Sequence, residues 1–173
     1  MRTPLSTEVF SALYDEYMPK VFAYIRYKVD SDETTEDLTS TVFEKALTSF
    51  EKYSKDRAAF STWIFTIARN TVIDHYRSGA HRHQVSLDEA TEVVSDRPTP
   101  EEEAEKATEK ECLLRCLATL PEQDRELIQL KFNAEMTNRQ ISRMLHLTES
   151  NVGVRLFRAV KKLRASFEEA WNG

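Results

Sequence analysis

Glycine is scarce in this chain, with 3 among 173 residues, and proline numbers 5. Tight turns and phosphate-cradling loops draw on glycine's freedom at positive φ. Its scarcity argues against a sandwich, a barrel or a glycine-rich nucleotide fold, and it favours long helices. Cysteine numbers 2, at Cys112 and Cys116, four apart on a helical pattern, which is no disulfide framework. No apolar run approaches the roughly 18 residues of a membrane span. The opening MRTPLSTEVF has no basic stretch followed by an apolar one. HExxH and the phosphate loop are both missing. The expectation is a soluble, cytoplasmic, helical protein that is not an enzyme and carries no cofactor.

What is present is charge, unevenly placed. The formal net charge is −5. From Thr137 to Arg164 there are seven basic residues against the single acid Glu149, a local balance of +6. From Glu101 to Glu111 there are six glutamates and two lysines, a balance of −4. Phosphate contacts need only one positive face, so the acidic total does not exclude a nucleic-acid partner.

Apolar residues recur at helical spacing. Val9, Phe10, Leu13, Tyr14, Tyr17, Met18, Val21, Phe22 and Ile25 predict a helix over 7–29, with Pro19 as a kink or break. Thr34 with Asp37 predicts the cap of a second helix, with Leu38, Val42, Ala46, Leu47 and Phe50 inward. A third begins at Phe60, with Trp63, Ile64, Ile67, Ala68, Thr71, Val72 and His75 on one stripe and Asn70, Asp74 and Arg77 on another. Residues 81–98 lose periodicity and read as a flexible linker. Thr99, Pro100 and Glu102 form a start signal for a helix to about Leu120, and Pro121 opens the next, over about 122–132. Thr137 with Gln140 caps a short helix, His146 and Leu147 make a tight turn, and Thr148 caps the last helix. Its inner stripe is Val152, Leu156, Ala159, Val160, Leu163 and Phe167. The fold class is all-α: two small helical domains, 7–80 and 99–170, joined by the linker 81–98.

A short helix, a tight turn and a longer basic helix are the helix-turn-helix pattern. Such a recognition helix offers Glu149, Ser150, Asn151, Val154, Arg155 and Arg158 to base edges, with Thr148 at its start. Lys161, Lys162 and Arg164 suit phosphates. On the third helix Trp63, Phe65 and Tyr76, with Arg69, Asn70 and Arg77, offer stacking and charge to unstacked bases. Trp63 also falls on the inner stripe, so Asn70 and the polar loop before the helix are the better contacts. No metal site is expected. His81 and His83 flank Arg82 in the linker and read as solvated, and Cys112 and Cys116 lie beside Leu113 and Leu117 and read as core.

Five segments carry a family resemblance: FSALYDEYMPKVFAYI, TEDLTSTVFEKAL, FSTWIFTIARNTVIDHYR, LPEQDRELIQLKF and NVGVRLFRAVKKLR. In this order they resemble a bacterial RNA polymerase sigma factor of the extracytoplasmic-function (ECF) group, within the sigma-70 family. The resemblance implies that the first domain is region two and the last is region four. It implies core RNA polymerase and promoter DNA as partners, and an anti-sigma factor as regulator. Glu36, Asp37, Thr41 and Glu44 then contact core polymerase. The loop of Ser54, Lys55, Asp56 and Arg57, with Asn70, captures a flipped base of the minus-ten element, and Arg69 and Arg77 hold strand phosphates. The last domain reads the minus-thirty-five element. The linker runs toward the RNA exit path, where Asp88, Glu89, Glu92 and Asp96 suit a channel built for nucleic acid; a plain spacer is the alternative.

The chain departs from the family pattern in three places. Gln140-Ile141-Ser142 stands where Glu-Ile-Ala is common, His146 stands where glycine is usual, and Gly153 lies in the recognition helix. Two rivals stand beside this reading. One is a stand-alone helix-turn-helix regulator; the other is an enzyme or metal sensor built on His81, His83, Cys112 and Cys116.

Overall fold

The computed structural model describes residues 7–29, 31–78 and 100–172. Among the described residues there are seven α-helices and no strand. They are α1 (Thr7–Arg26), α2 (Asp32–Ser49), α3 (Phe60–Arg77), α4 (Pro100–Ala118), α5 (Glu122–Ile128), α6 (Asn138–Leu145) and α7 (Glu149–Asn172). The expectations for the linker 81–98, for its histidines and acids, and for a cap at Thr99 lie outside the described residues.

Helices α1, α2 and α3 close the first core. Val21, Tyr24, Ile25, Val42, Ala46, Ile64, Phe65 and Ala68 are fully or almost fully removed from solvent there. Pro19 neither ends nor splits α1. The carbonyl it leaves without a donor belongs to Asp15, and both residues face water, which can satisfy it. The cap of α2 is Ser31 rather than Thr34: its hydroxyl accepts from the Thr34 amide at 3.1 Å. Starting there puts Asp32 and Glu33 in the first turn, where carboxylates favour the helix dipole. Leu47, expected inside, is 56% exposed on the outer face of α2, and Phe43 takes the inward place. Val9 and Tyr14 are also largely exposed.

In the second half, α7 packs on α4, α5 and α6. Leu127, Leu130, Met136, Ile141 and Val152 fill its interior. Cys112 and Cys116 are buried on α4, while Leu113 beside them is exposed. The helix expected over 122–132 is α-helical only to Ile128 and then widens into a π-helical segment, Gln129–Asn133. Val160, expected on the inner stripe of α7, faces outward instead.

The capping box of α6 forms in full. The Gln140 amide donates to Thr137 Oγ1 at 3.2 Å, and the Thr137 amide donates to Gln140 Oε1 at 2.7 Å. Glutamine therefore does at this position what a glutamate would. Ser142 is buried, and its hydroxyl donates to the Arg139 carbonyl at 2.9 Å, so it leaves no polar group unmet. His146 takes the left-handed conformation, φ 55 and ψ 40, and closes α6 in glycine's stead. Thr148 Oγ1 then accepts from the Asn151 amide at 3.1 Å and starts α7.

The two halves touch. α1 packs on the π-helical segment, α3 packs on α6, and buried apolar residues of both halves form one cluster.

Candidate nucleic-acid interface

Residues from the start of α7 and the start of α5 line one shallow hollow: Pro121, Asp124, Ser150, Asn151, Val154, Arg155 and Arg158. Thr148, Glu149, Ser150, Asn151, Val154 and Arg158 are exposed, as are Lys161 and Lys162 further along. A row of side chains on the outer face of a helix that follows a tight turn is what a groove-reading element needs. Arg155 differs from its neighbours, being only partly exposed. Its Nε and Nη2 donate to one carboxylate oxygen of Asp124 at 3.0 and 2.5 Å. Phe157 also stands out from α7, 70% exposed. Gly153 does not face the hollow: a Cβ there would lie 3.6 Å from Asn138 Nδ2 on α6.

The second surface lies on α3 and the loop before it. Lys55, Asp56, Arg57, Asn70, Asp74 and Arg77 are exposed, and Ser54 is half-buried. The loop is a closed turn. The Arg57 amide donates to the Ser54 carbonyl at 3.0 Å, and the Tyr53 hydroxyl donates to the Ala58 carbonyl at 3.1 Å. Phe50, Tyr53, Phe60 and Trp63 pack ring against ring beneath it, with Tyr53 and Trp63 centroids 4.9 Å apart. Trp63 is thus a brace for the loop, half-buried, as its place on the inner stripe foretells. Phe65 is no stacking platform. It is fully buried, edge-on to Tyr24 at 5.4 Å. Tyr76 is partly exposed, and its hydroxyl donates to the Lys28 carbonyl. Arg69 is held by Glu126 of α5, at 3.4 Å.

On α2, Glu36, Asp37 and Glu44 form an exposed acidic row. Thr41 is half-buried and spends its proton on the Asp37 carbonyl at 2.9 Å.

The family model described as Sigma-70 region 2 matches residues 13–82, and that described as Sigma-70, region 4 matches residues 110–163. The ECF RNA polymerase sigma factor ShbA of Streptomyces griseus is 32% identical over 144 residues, 81% of this chain and 75% of that protein. This chain belongs to the ECF sigma factors of the sigma-70 family.

Another ECF sigma factor, BldN of Streptomyces coelicolor, is 31% identical over 156 residues; these span 90% of this chain and 59% of BldN. SigM of Bacillus subtilis is 26% identical over 92% of this chain and 96% of its own length. Among solved structures, CnrH in complex with the cytosolic domain of CnrY aligns with a TM-score of 0.63 at 21% identity, covering 95% of this chain and 90% of CnrH. The sigma factor RpoE of Bartonella quintana, in complex with the anti-sigma factor NepR, aligns with a TM-score of 0.67 at 17% identity, covering 92% and 96%. These two likenesses show a shared fold.

An ECF sigma factor is not an enzyme. Among the described residues no three His, Cys, Asp or Glu side chains gather as a metal site, and no helix is long and apolar enough to cross a membrane. Burial pushes the Cys116 thiol up, and Cys112 beside it adds to this, so it stays protonated at neutral pH. Sequence reasoning missed the contacts of Asp124 and Glu126, and it placed Leu47 inward where it is exposed. The motif LPEQDRELIQLKF contains both acids, but periodicity says only that they lie on one short helix, not what each one meets.

Proposed function

We propose that this chain binds core RNA polymerase and directs it to one class of promoters, working in the cytoplasm where polymerase works. The region-four half reads the minus-thirty-five element. Asn151, Arg155 and Arg158 face base edges, and Lys161 and Lys162 face phosphates. The region-two half captures the minus-ten element. The loop Ser54–Arg57 and Asn70 receive an unstacked base, and Arg69 and Arg77 hold the strand. Unstacking costs a few kcal/mol, which a braced pocket must offset. The rigid aromatic floor under the loop supplies that brace. The acidic row Glu36, Asp37 and Glu44, with Thr41, docks on polymerase. Leu47 extends the same face with an apolar contact.

The observation that carries the reading is the presence of two separate exposed polar surfaces in one ECF sigma chain, one on a braced loop and one on a basic recognition helix. A stand-alone regulator would need only the second. The CnrH and RpoE structures each hold an inhibitor of this kind or a partner's cytosolic domain. On that ground an anti-sigma factor is the regulator we propose here.

Reconstituted transcription tests the function. Purified bacterial core polymerase, this protein and a library of promoter fragments should yield discrete starts that share an upstream and a downstream motif. Specific duplex binding with no starts and no co-elution with core would overturn the reading in favour of a stand-alone regulator.

A further inference from the structure

The stretch between α2 and α3 has no residue that restricts its backbone. Residues 50–59 read FEKYSKDRAA, with neither glycine nor proline. α3 also starts without a side-chain cap, since Ala59 stands at its N-cap. Among the described residues, one side chain bonds the main chain of 54–59, and it is Tyr53. Its hydroxyl donates to the Ala58 carbonyl at 3.1 Å and ties the end of the loop to its beginning. Inside that closure the Ser54 carbonyl accepts from the Arg57 and Ala58 amides, at 3.0 and 3.3 Å.

The Tyr53 ring is held on three sides. It stacks on Phe50, with centroids 6.1 Å apart and planes 9° from parallel. It meets Phe60 edge-on at 5.6 Å and lies 4.9 Å from Trp63. Phe50 and Phe60 are buried, so the hydroxyl rides on a rigid base. Burial pushes its pKa above the ordinary 10.0, so it keeps its proton and donates at neutral pH. Asn70 lies seven residues beyond Trp63 on α3. That is two turns along the same side of the helix, about 10 Å by helical rise. The tether therefore sets where the exposed Lys55, Asp56 and Arg57 stand relative to Asn70.

We propose that the Tyr53 hydroxyl is a positioning group for base selectivity at the minus-ten element. This rests on the reading of the 54–57 loop and Asn70 as the receiver of an unstacked base. The aromatic floor makes the loop firm, and the Tyr53–Ala58 bond fixes its place against Asn70. A pocket discriminates between bases only while a misfitting base cannot pull it into another shape. A tethered loop has also given up its freedom before the base arrives, so less is lost on binding. Without the tether, only the Ser54 turn shapes the loop, and it can follow whichever base enters.

The test uses the full chain bound to core polymerase. Its substrates are promoter fragments recovered from reconstituted transcription, each with one base change in the upstream or the downstream motif. Permanganate reactivity reads the fraction opened, and the ratio of parent to changed fragment gives the selectivity at that position. Tyr53→Phe keeps the ring and removes the donor. It should lower selectivity at one position of the downstream motif by about fivefold to tenfold, the size of one hydrogen bond. Selectivity at the upstream motif and co-elution with core should match the wild type. Tyr17→Phe is the control, because its ring meets Phe60 edge-on at 5.0 Å in the same aromatic cluster but lies outside the loop. It should leave selectivity at both motifs unchanged. Unchanged selectivity in Tyr53→Phe would overturn the proposal, as would equal losses in the two variants or losses at both motifs. A wild type that opens no fragment, or opens them with no base preference in the downstream motif, would overturn the reading of the loop and the role of Tyr53 with it.

Discussion

Arg155 of the recognition helix places two guanidinium nitrogens on a single oxygen of Asp124, at 3.0 and 2.5 Å. The pair spans α7 and α5 and fixes the arginine in one rotamer at the rim of the hollow. An arginine held this way reaches a guanine edge with less rotamer freedom to lose. Arg155→Ala should weaken binding to the upstream element by about 1–3 kcal/mol. Asp124→Asn should act differently. It removes a negative charge near DNA and frees the arginine, so nonspecific duplex binding should rise while the ratio of specific to nonspecific binding falls. Competition binding with matched and scrambled duplexes measures both. An unchanged ratio would show that Asp124 plays no part in aiming Arg155.

Asn70 is exposed on α3. Asn70→Ala should change folding stability by no more than about 0.5 kcal/mol, as surface substitutions do. Core-polymerase binding should be spared and promoter opening impaired, as read by permanganate reactivity of thymines. Loss of polymerase binding instead would mean that docking and base capture share one surface.

Leu47 is 56% exposed at the end of the acidic row of α2. Leu47→Ala should leave stability within about 0.5 kcal/mol of the wild type, because little apolar area leaves water with it on folding. Co-elution with core polymerase should weaken. A destabilised variant with normal polymerase binding would return Leu47 to the core.

Gly153 faces Asn138 with room for a methyl group, 3.6 Å from its amide nitrogen. Glycine in a helix interior costs about 1 kcal/mol relative to alanine. Gly153→Ala should therefore raise stability by about that amount in a denaturant titration. Duplex binding should be unchanged, since the missing Cβ points at α6. A loss of binding would show that the backbone at Gly153 approaches DNA.

Tyr24 keeps its proton well above the ordinary 10.0, chiefly because it is buried and further because Glu126 lies beside it. Burial raises Tyr17, Tyr27 and Tyr53 as well. In the unfolded chain these phenols ionise near 10.0. Above that pH the unfolded state sheds protons that the native state keeps, so their contribution is full below about pH 10 and falls as pH rises further. Chemical denaturation at about pH 8 and about pH 11 should show that fall, and Tyr24→Phe should make it shallower.

Much of this molecule is local and therefore legible along the chain. The Thr137–Gln140 box, the left-handed His146 and the Thr148 cap each depend on residues within four positions of one another. Their hydrogen bonds are decided by backbone geometry that the side chains themselves favour. The same holds for the helical stripes of α1 and α3, Val9 and Tyr14 apart, whose periodicity follows from 3.6 residues per turn.

Other features depend on what lies across a gap. Leu47 and Val160 sit at helical positions that read as inward, yet they are 56% and 39% exposed on the outward faces of α2 and α7. Phe65 and Arg69 lie on the same helix as the exposed Asn70, but Phe65 turns into Tyr24 and Arg69 toward Glu126. Ser31, not Thr34, caps α2, because its hydroxyl takes the Thr34 amide and lets Asp32 and Glu33 join the first turn. Sequence by itself determined most of the helices, the caps of α6 and α7 and the two-part sigma architecture, because these are set by short-range geometry and by motifs in a fixed order. Only the tertiary structure decided that Asp124 holds Arg155 and that Glu126 gathers Tyr24, Lys28 and Arg69. Tyr24 and Glu126 are 102 positions apart, and no periodicity reports which charges meet when two folded halves close on each other.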